Sequence, residues 1–333
     1  MAYSAKISVE DGEPVVRLAD DAAGVEAVIV PAFGNRTIRM LVDGQNILHF
    51  PFERISDAKA DRSLNGIPFL APWANRMDGG GFRAGGREFR FHDTAGTLRM
   101  DANGLPIHGM LSSSPLWQLA GIGSDETSAH ATSRLEFWKQ PALMANWPFA
   151  HSYEMTHRLA GGTLEITTAI LNRSAEKMPV AIGFHPYFRI PGVGRDELSV
   201  HLPVSKHVET DARLIPTGEF RDVSFPASLP LKGQQFDDGF VALEPSPAFR
   251  LAGGGREIEV GFGPKYRVAV VYAPPGKDFV CFEPMTAVTN GVNLAAAGRY
   301  PDLEWIEPGT EWRESFRISA RGWQPPLLPA ARG

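Results

Sequence analysis

Five short segments place proton-handling or hydrogen-bonding side chains inside apolar or aromatic stretches, where burying them without purpose would cost free energy. They are Phe69-Leu70-Ala71-Pro72-Trp73-Ala74-Asn75-Arg76, Leu105-Pro106-Ile107-His108-Gly109, Ile182-Gly183-Phe184-His185-Pro186-Tyr187-Phe188, Phe236-Asp237-Asp238-Gly239-Phe240 and Cys281-Phe282-Glu283-Pro284-Met285-Thr286. Together they supply histidines, an arginine and carboxylates, groups that pass protons to and from a bound molecule and hydrogen-bond its hydroxyls. Their aromatic neighbours suit the apolar C–H face of a sugar.

Each segment alone also has a structural explanation. A histidine among aromatics, such as His185, is commonly a core residue with satisfied hydrogen bonds. Arg76 and Glu283 could form a structural ion pair, and His108 beside Gly109 could merely shape a turn. Asp237-Asp238 reads equally well as a solvated turn between strands. His108, His185, Asp237 and Glu283 could converge on a metal, but no local ligand spacing supports this, and no metal site is expected.

Other chemistries lose support from what the chain lacks. There is no GxxxxGK[ST] loop, HExxH helix, CxxC pair or GxSxG elbow. Gly79-Gly80-Gly81 with Gly85-Gly86 lacks the strand-to-helix context of a phosphate cradle, and the flanking Phe82 and Phe89 indicate a hairpin. A net charge of −5 gives no basic field for nucleic acid or an anionic membrane. The single cysteine, Cys281, excludes an intrachain disulfide and a thiolate metal cluster. The N-terminus lacks the basic and apolar regions of a signal peptide, and no run reaches the ~18 apolar residues of a membrane span. A cytoplasmic protein is expected, so the sequons at Asn35 and Asn172 carry no weight.

The elements that must position these groups are strands. Gly (34) and Pro (27) punctuate the chain at short intervals and disfavour long helices. Residues 164–170 alternate with a period of two, and similar candidates fall at 25–30, 37–42, 87–91, 152–159, 268–272, 279–282 and 312–319. Many short strands separated by turn signals predict an all-β protein, a large antiparallel β-sandwich or barrel. No repeat or linker divides the chain, so one domain is expected over 1–323, followed by a flexible Pro-rich tail at 324–333.

In this order and at these separations the segments resemble the aldose 1-epimerase (mutarotase) family. The likeness runs from about Thr37 through PWANRM, GFHPYF and FEPMT to Glu307-Pro308-Gly309-Thr310 and Phe316-Arg317-Ile318. It implies the galactose mutarotase-like supersandwich, with an open cleft that holds the sugar. It further implies that Glu283 is the base at the anomeric O1 and His185 the acid at ring O5. Arg76, His108, Asp237 and, more weakly, Asn75 would orient the sugar hydroxyls. Asp237 is preferred to Asp238 because it stands three residues before Phe240, as in the family pattern.

No cofactor is expected, and the expected partner is a small-molecule sugar, with the chain a monomer or homodimer. Histidine suits the acid because its unperturbed pKa of about 6.5 makes both states accessible. A carboxylate beside an imidazolium is expected to stay ionised. Two other functions remain open. A hexose-6-phosphate epimerase would need basic groups near the phosphate, for which Arg87, Arg90 and Lys206 are candidates. A non-catalytic sugar-binding or sensing module on the same fold would need no proton pair.

Overall fold

The computed structural model describes residues 2–61, 63–92 and 96–323. The expected tail at 324–333 lies outside the described residues. The chain forms an all-β antiparallel sandwich of the expected class. An N-terminal five-stranded meander, Tyr3–Glu10, Glu13–Asp20, Val25–Val30, Arg36–Val42 and Gln45–Asn46, lies against a nine-stranded sheet. The centre of that larger sheet is built from Arg256–Phe262, Glu311–Arg321, Thr163–Asn172 and His151–Ala160. Strand alternation is visible in its burial: along His151–Ala160 every second residue is buried, and the opposite face is wetter.

An eight-stranded sheet faces it. Its path runs Pro216–Asp222, Val204–Thr210, Phe236–Leu243, Val268–Ala273, Val280–Met285, Gly183–Phe184 and Phe69–Leu70, and Tyr187–Phe188 also pairs with Val280–Met285. Aromatic contacts bridge the two large sheets. Phe184 meets Phe316 with ring centroids 4.8 Å apart, Phe69 meets Tyr153 at 5.4 Å and Phe249 meets Phe282 at 5.5 Å. Such pairs add about 0.5–1.5 kcal/mol each beyond the area they bury.

Val280–Met285 is buried at all six positions, as a central strand covered on both faces must be. Phe282 joins the inter-sheet core, while Cys281 and Glu283 project from the opposite face. The Gly-rich hairpin is formed as expected, by Gly81–Ala84 and Arg87–Arg90, with Phe82 and Phe89 stacked at 4.9 Å. Helices are confined to short pieces: Ile55–Asp61, Pro141–Met144 and Gly291–Ala296. Among the described residues, none is long and apolar enough to cross a membrane.

Candidate active site

Strand register assembles the floor of the site. Asp237 pairs with Tyr272, which pairs with Cys281, and Gly239 pairs with Val270, which pairs with Glu283. Two residues apart on each strand, these six positions share one face. The Asp237-Asp238 pair therefore lies inside the strand Phe236–Leu243 and not in the turn that its composition suggested. Asp238 points to the other face, where Oδ1 meets His207 Nε2 at 2.8 Å and Oδ2 accepts the Asp237 N–H. Asp237, not Asp238, lines the cleft.

His185 sits in the two-residue gap between Gly183–Phe184 and Tyr187–Phe188, both paired to the strand that carries Glu283. Its N–H donates to Pro68 O at 3.1 Å. The imidazole stacks on Tyr187 at 4.6 Å and 7°, and Nε2 reaches Glu283 Oε1 at 3.2 Å. Glu283 is 1% exposed. Its Oε2 and His185 Nδ1 have no partner among the described residues.

One wall comes from two loops laid side by side. Arg76 bridges Ile107, the His108 N–H donates to Asn75 O at 2.9 Å, and Gly109 runs beside Ala71. Asn75 (φ 55°) and His108 (φ 63°) both adopt the left-handed conformation, which non-glycine residues pay for and which is concentrated at functional positions. Gly109 follows at φ 62°, where a Cβ would fall 2.1 Å from Ala71 O, so this position requires glycine. His108 meets the edge of His185 with centroids 5.5 Å apart. Arg76 Nε donates to Asp101 Oδ2 at 2.7 Å, and Asp101 Oδ1 accepts the N–H groups of Asn103 and Leu105.

The resulting cleft, about 470 Å³, has the size of a small-molecule site. It is lined by Asn75, Arg76, His108, His185, Asp237 and Glu283, so every residue expected from the sequence meets in one place. Sequence reasoning anticipated an aromatic neighbour in Tyr187 but missed Asp101 and the rest of the aromatic side, Tyr272 and Phe279. It also missed Arg99 and Lys277, which line the cleft. The basic residues it did weigh lie elsewhere: Arg87 pairs with Glu176 and Lys206 with Asp222, and Arg90 belongs to the hairpin. Among the described residues, no group of three or more His, Cys, Asp and Glu side chains has the geometry of a metal site.

Burial acts against the charges expected of the central pair. Desolvation pushes the Glu283 carboxyl well above its ordinary value, with Asp237 reinforcing and Arg76 opposing. Desolvation likewise lowers His185 to about 3, and lowers His108 well below its ordinary value. Burial thus disfavours the ionised carboxylate expected from the sequence and favours a neutral imidazole beside it. At the rim, Asp237 is exposed as a whole residue, yet desolvation of its carboxylate raises its pKa, with Arg76 opposing and Asp238 reinforcing. For Asp101 burial acts upward, but the Leu105 N–H, Arg76 and the Asn103 N–H outweigh it and hold the carboxylate low.

The uncharacterized protein YphB of Escherichia coli strain K12 is 23% identical over 252 residues, 72% of this chain and 78% of that protein. A galactose mutarotase-like protein of known structure from Clostridium acetobutylicum has a TM-score of 0.85 at 20% identity, covering 97% of this chain and 99% of that one. The galactose 1-epimerase of Lactobacillus acidophilus NCFM has a TM-score of 0.74 at 15% identity, covering 96% and 99%. These structural likenesses establish a shared fold. Residues 14–319 match the sequence profile of the family described as aldose 1-epimerase, and the chain belongs to that family.

Proposed function

We propose that this protein interconverts the α and β anomers of a free aldohexose such as glucose or galactose by acid–base ring opening and reclosure. The observation that carries the reading is the 3.2 Å contact between His185 Nε2 and Glu283 Oε1, buried at the floor of a cleft of sugar-site dimensions. The fold shared with a protein named galactose 1-epimerase supports it.

Opening a pyranose requires a proton to leave the O1 hydroxyl while another reaches O5. Glu283 takes the first and His185 supplies the second; rotation about C1–C2 of the aldehyde then lets the ring reclose on either face. Opening leaves a neutral carboxylic acid and a neutral imidazole, the protonation that burial favours in the free site. The form that opens the ring, carboxylate plus imidazolium, holds the same number of protons. Moving one proton across the 3.2 Å contact interconverts the two forms.

Arg76, His108, Asp237 and Asn75 hold the sugar hydroxyls, Asp101 fixes the Arg76 fork, and Tyr187, Tyr272 and Phe279 offer ring faces to the C–H surface. This chemistry needs no cofactor. Because sugars mutarotate spontaneously, a modest acceleration from positioning and proton transfer suffices.

A second reading, epimerisation of a hexose 6-phosphate, is favoured by Arg99 and Lys277 in the cleft lining. Polarimetry of freshly dissolved α-glucose and α-galactose, corrected for the spontaneous rate, with a coupled assay on glucose 6-phosphate, tests both. Acceleration with a free sugar supports the first reading, and acceleration with the phosphate alone supports the second. Sugar binding without acceleration of any substrate would sink both in favour of a binding module.

A further inference from the structure

Arg36 is 0% exposed, yet among the described residues it makes no ion pair with a carboxylate. Burial lowers its pKa to about 9, so it remains a cation at neutral pH inside a medium that penalises charge. Its guanidinium lies over the Phe33 ring at 3.9 Å and divides its hydrogen bonds between two segments of chain. One nitrogen donates to Asn65 Oδ1 at 3.0 Å. Another donates to Ser112 O at 2.7 Å and to Ser113 Oγ at 3.1 Å. An apolar side chain of similar length would avoid the desolvation cost but could not join these acceptors.

Both segments lead directly to the site. Asn65 donates to Ser63 O, and Ser63 and Leu64 line the cleft. Gly66 O then accepts the N–H of Tyr187, on which His185 stacks, and Pro68 O accepts the N–H of His185 itself. On the other side, Ser112 follows His108 by four residues, with Met110 and Leu111 anchored to Ala71 O. Gly34 tightens the same junction, since a Cβ there would lie 2.3 Å from Ser112 O.

We propose that Arg36 is a positioning residue for the sugar site: its guanidinium ties segment 63–66 to segment 112–113 and so sets the spacing between His185 and His108. Its kinetic consequence rests on the epimerase reading, whereas its effect on the two imidazoles does not. The test therefore combines kinetics with 1H–15N spectra of the histidine rings and thermal melts, in Arg36→Met and in two single-arm variants, Asn65→Ala and Ser113→Ala. The single-arm variants keep the remaining bonds of Arg36 and carry the test if Arg36→Met does not fold.

The His185 ring signals should move in Asn65→Ala and the His108 signals in Ser113→Ala. In Arg36→Met, kcat should fall about 10- to 100-fold, with KM within about threefold of wild type. Adding Arg36→Met to His108→Ala should cost less than about threefold more, because two residues acting on one geometry are not additive. Unmoved imidazole signals in folded variants would overturn the proposal and leave Arg36 a strut of the core, whatever the melting temperatures. If wild type accelerates no sugar, the function reading fails while the ring spectra still decide this one.

Discussion

Replacing Glu283 by Gln separates the catalytic and the stability roles of the buried pair. The amide keeps the shape of the side chain and its contact with His185, but it cannot accept the O1 proton. General acid–base catalysis contributes about 10²–10⁴-fold, so the enzyme-dependent rate should fall by that factor, about 3–5 kcal/mol of transition-state stabilisation. Stability should move the other way. Burial holds the folded carboxyl well above 4.5. As pH rises past the unfolded carboxylate value, the unfolded chain releases its proton first. Wild type then loses stability at up to about 1.4 kcal/mol per pH unit until the folded group also ionises. Gln has no such loss, so Glu283→Gln should match wild type near pH 4 and exceed it progressively by pH 6. Polarimetry on α-glucose and denaturant unfolding at both pH values measure the two effects. A variant that keeps its rate within about threefold would refute the proton-transfer role. One that becomes relatively less stable as pH rises would refute the upward shift of the buried carboxyl.

Asp237→Asn should lower kcat/KM about 10- to 100-fold, as expected for losing a charged hydrogen bond to substrate. Asp238→Asn, on the other face, should stay within about threefold, and equal effects in steady-state assays would contradict the register argument. Gly109→Ala places a Cβ against Ala71 O at a positive φ and should cost more than about 2 kcal/mol in a thermal or denaturant melt. His108, His151, His157 and His185 are all held neutral by burial, with His151 near 4 and His157 and His185 near 3. Their contribution is present above about pH 6.5 and is lost as pH falls towards the folded values, by up to about 1.4 kcal/mol per pH unit for each histidine. Urea unfolding should thus give a distinctly lower stability at pH 5 than at pH 7; equal stability would show that these histidines do not stay neutral.

Strands with one wet face were legible in the sequence because burial alternates along them, as at Thr163–Asn172. The central strand Val280–Met285, covered on both sides and without alternation in its burial, was anticipated only over its first half by the candidate at 279–282, and Glu283 stood out through its polar contrast and the family motif. Phe236–Leu243 was hidden because Asp-Asp-Gly has poor strand propensity and long-range pairing overrides it. The N-terminal hairpin did leave a signal: Asp11-Gly12 is a two-residue turn with both φ positive, joining Tyr3–Glu10 to Glu13–Asp20. Asp101 could not be read as a partner of Arg76, because 25 residues separate them and only the fold closes the gap. The pull of burial on the pair was not legible for a physical reason. Solution pKa values favour ions, and only the folded packing reveals how little water reaches Glu283 and His185.

The floor and the wall of the cleft are built in unequal ways. Glu283, Tyr272 and Asp237 sit in a ladder bonded across neighbouring strands. Asn75, Arg76 and His108 stand on loops held by isolated bridges and a few side-chain bonds. Segments with fewer cooperative bonds open at lower free energy. Breathing of the molecule should therefore be concentrated on one side of the cleft. In amide exchange, the wall should release its protons well before the floor, leaving the loop side of the cleft free to move while the strand-borne Glu283 and Asp237 stay fixed.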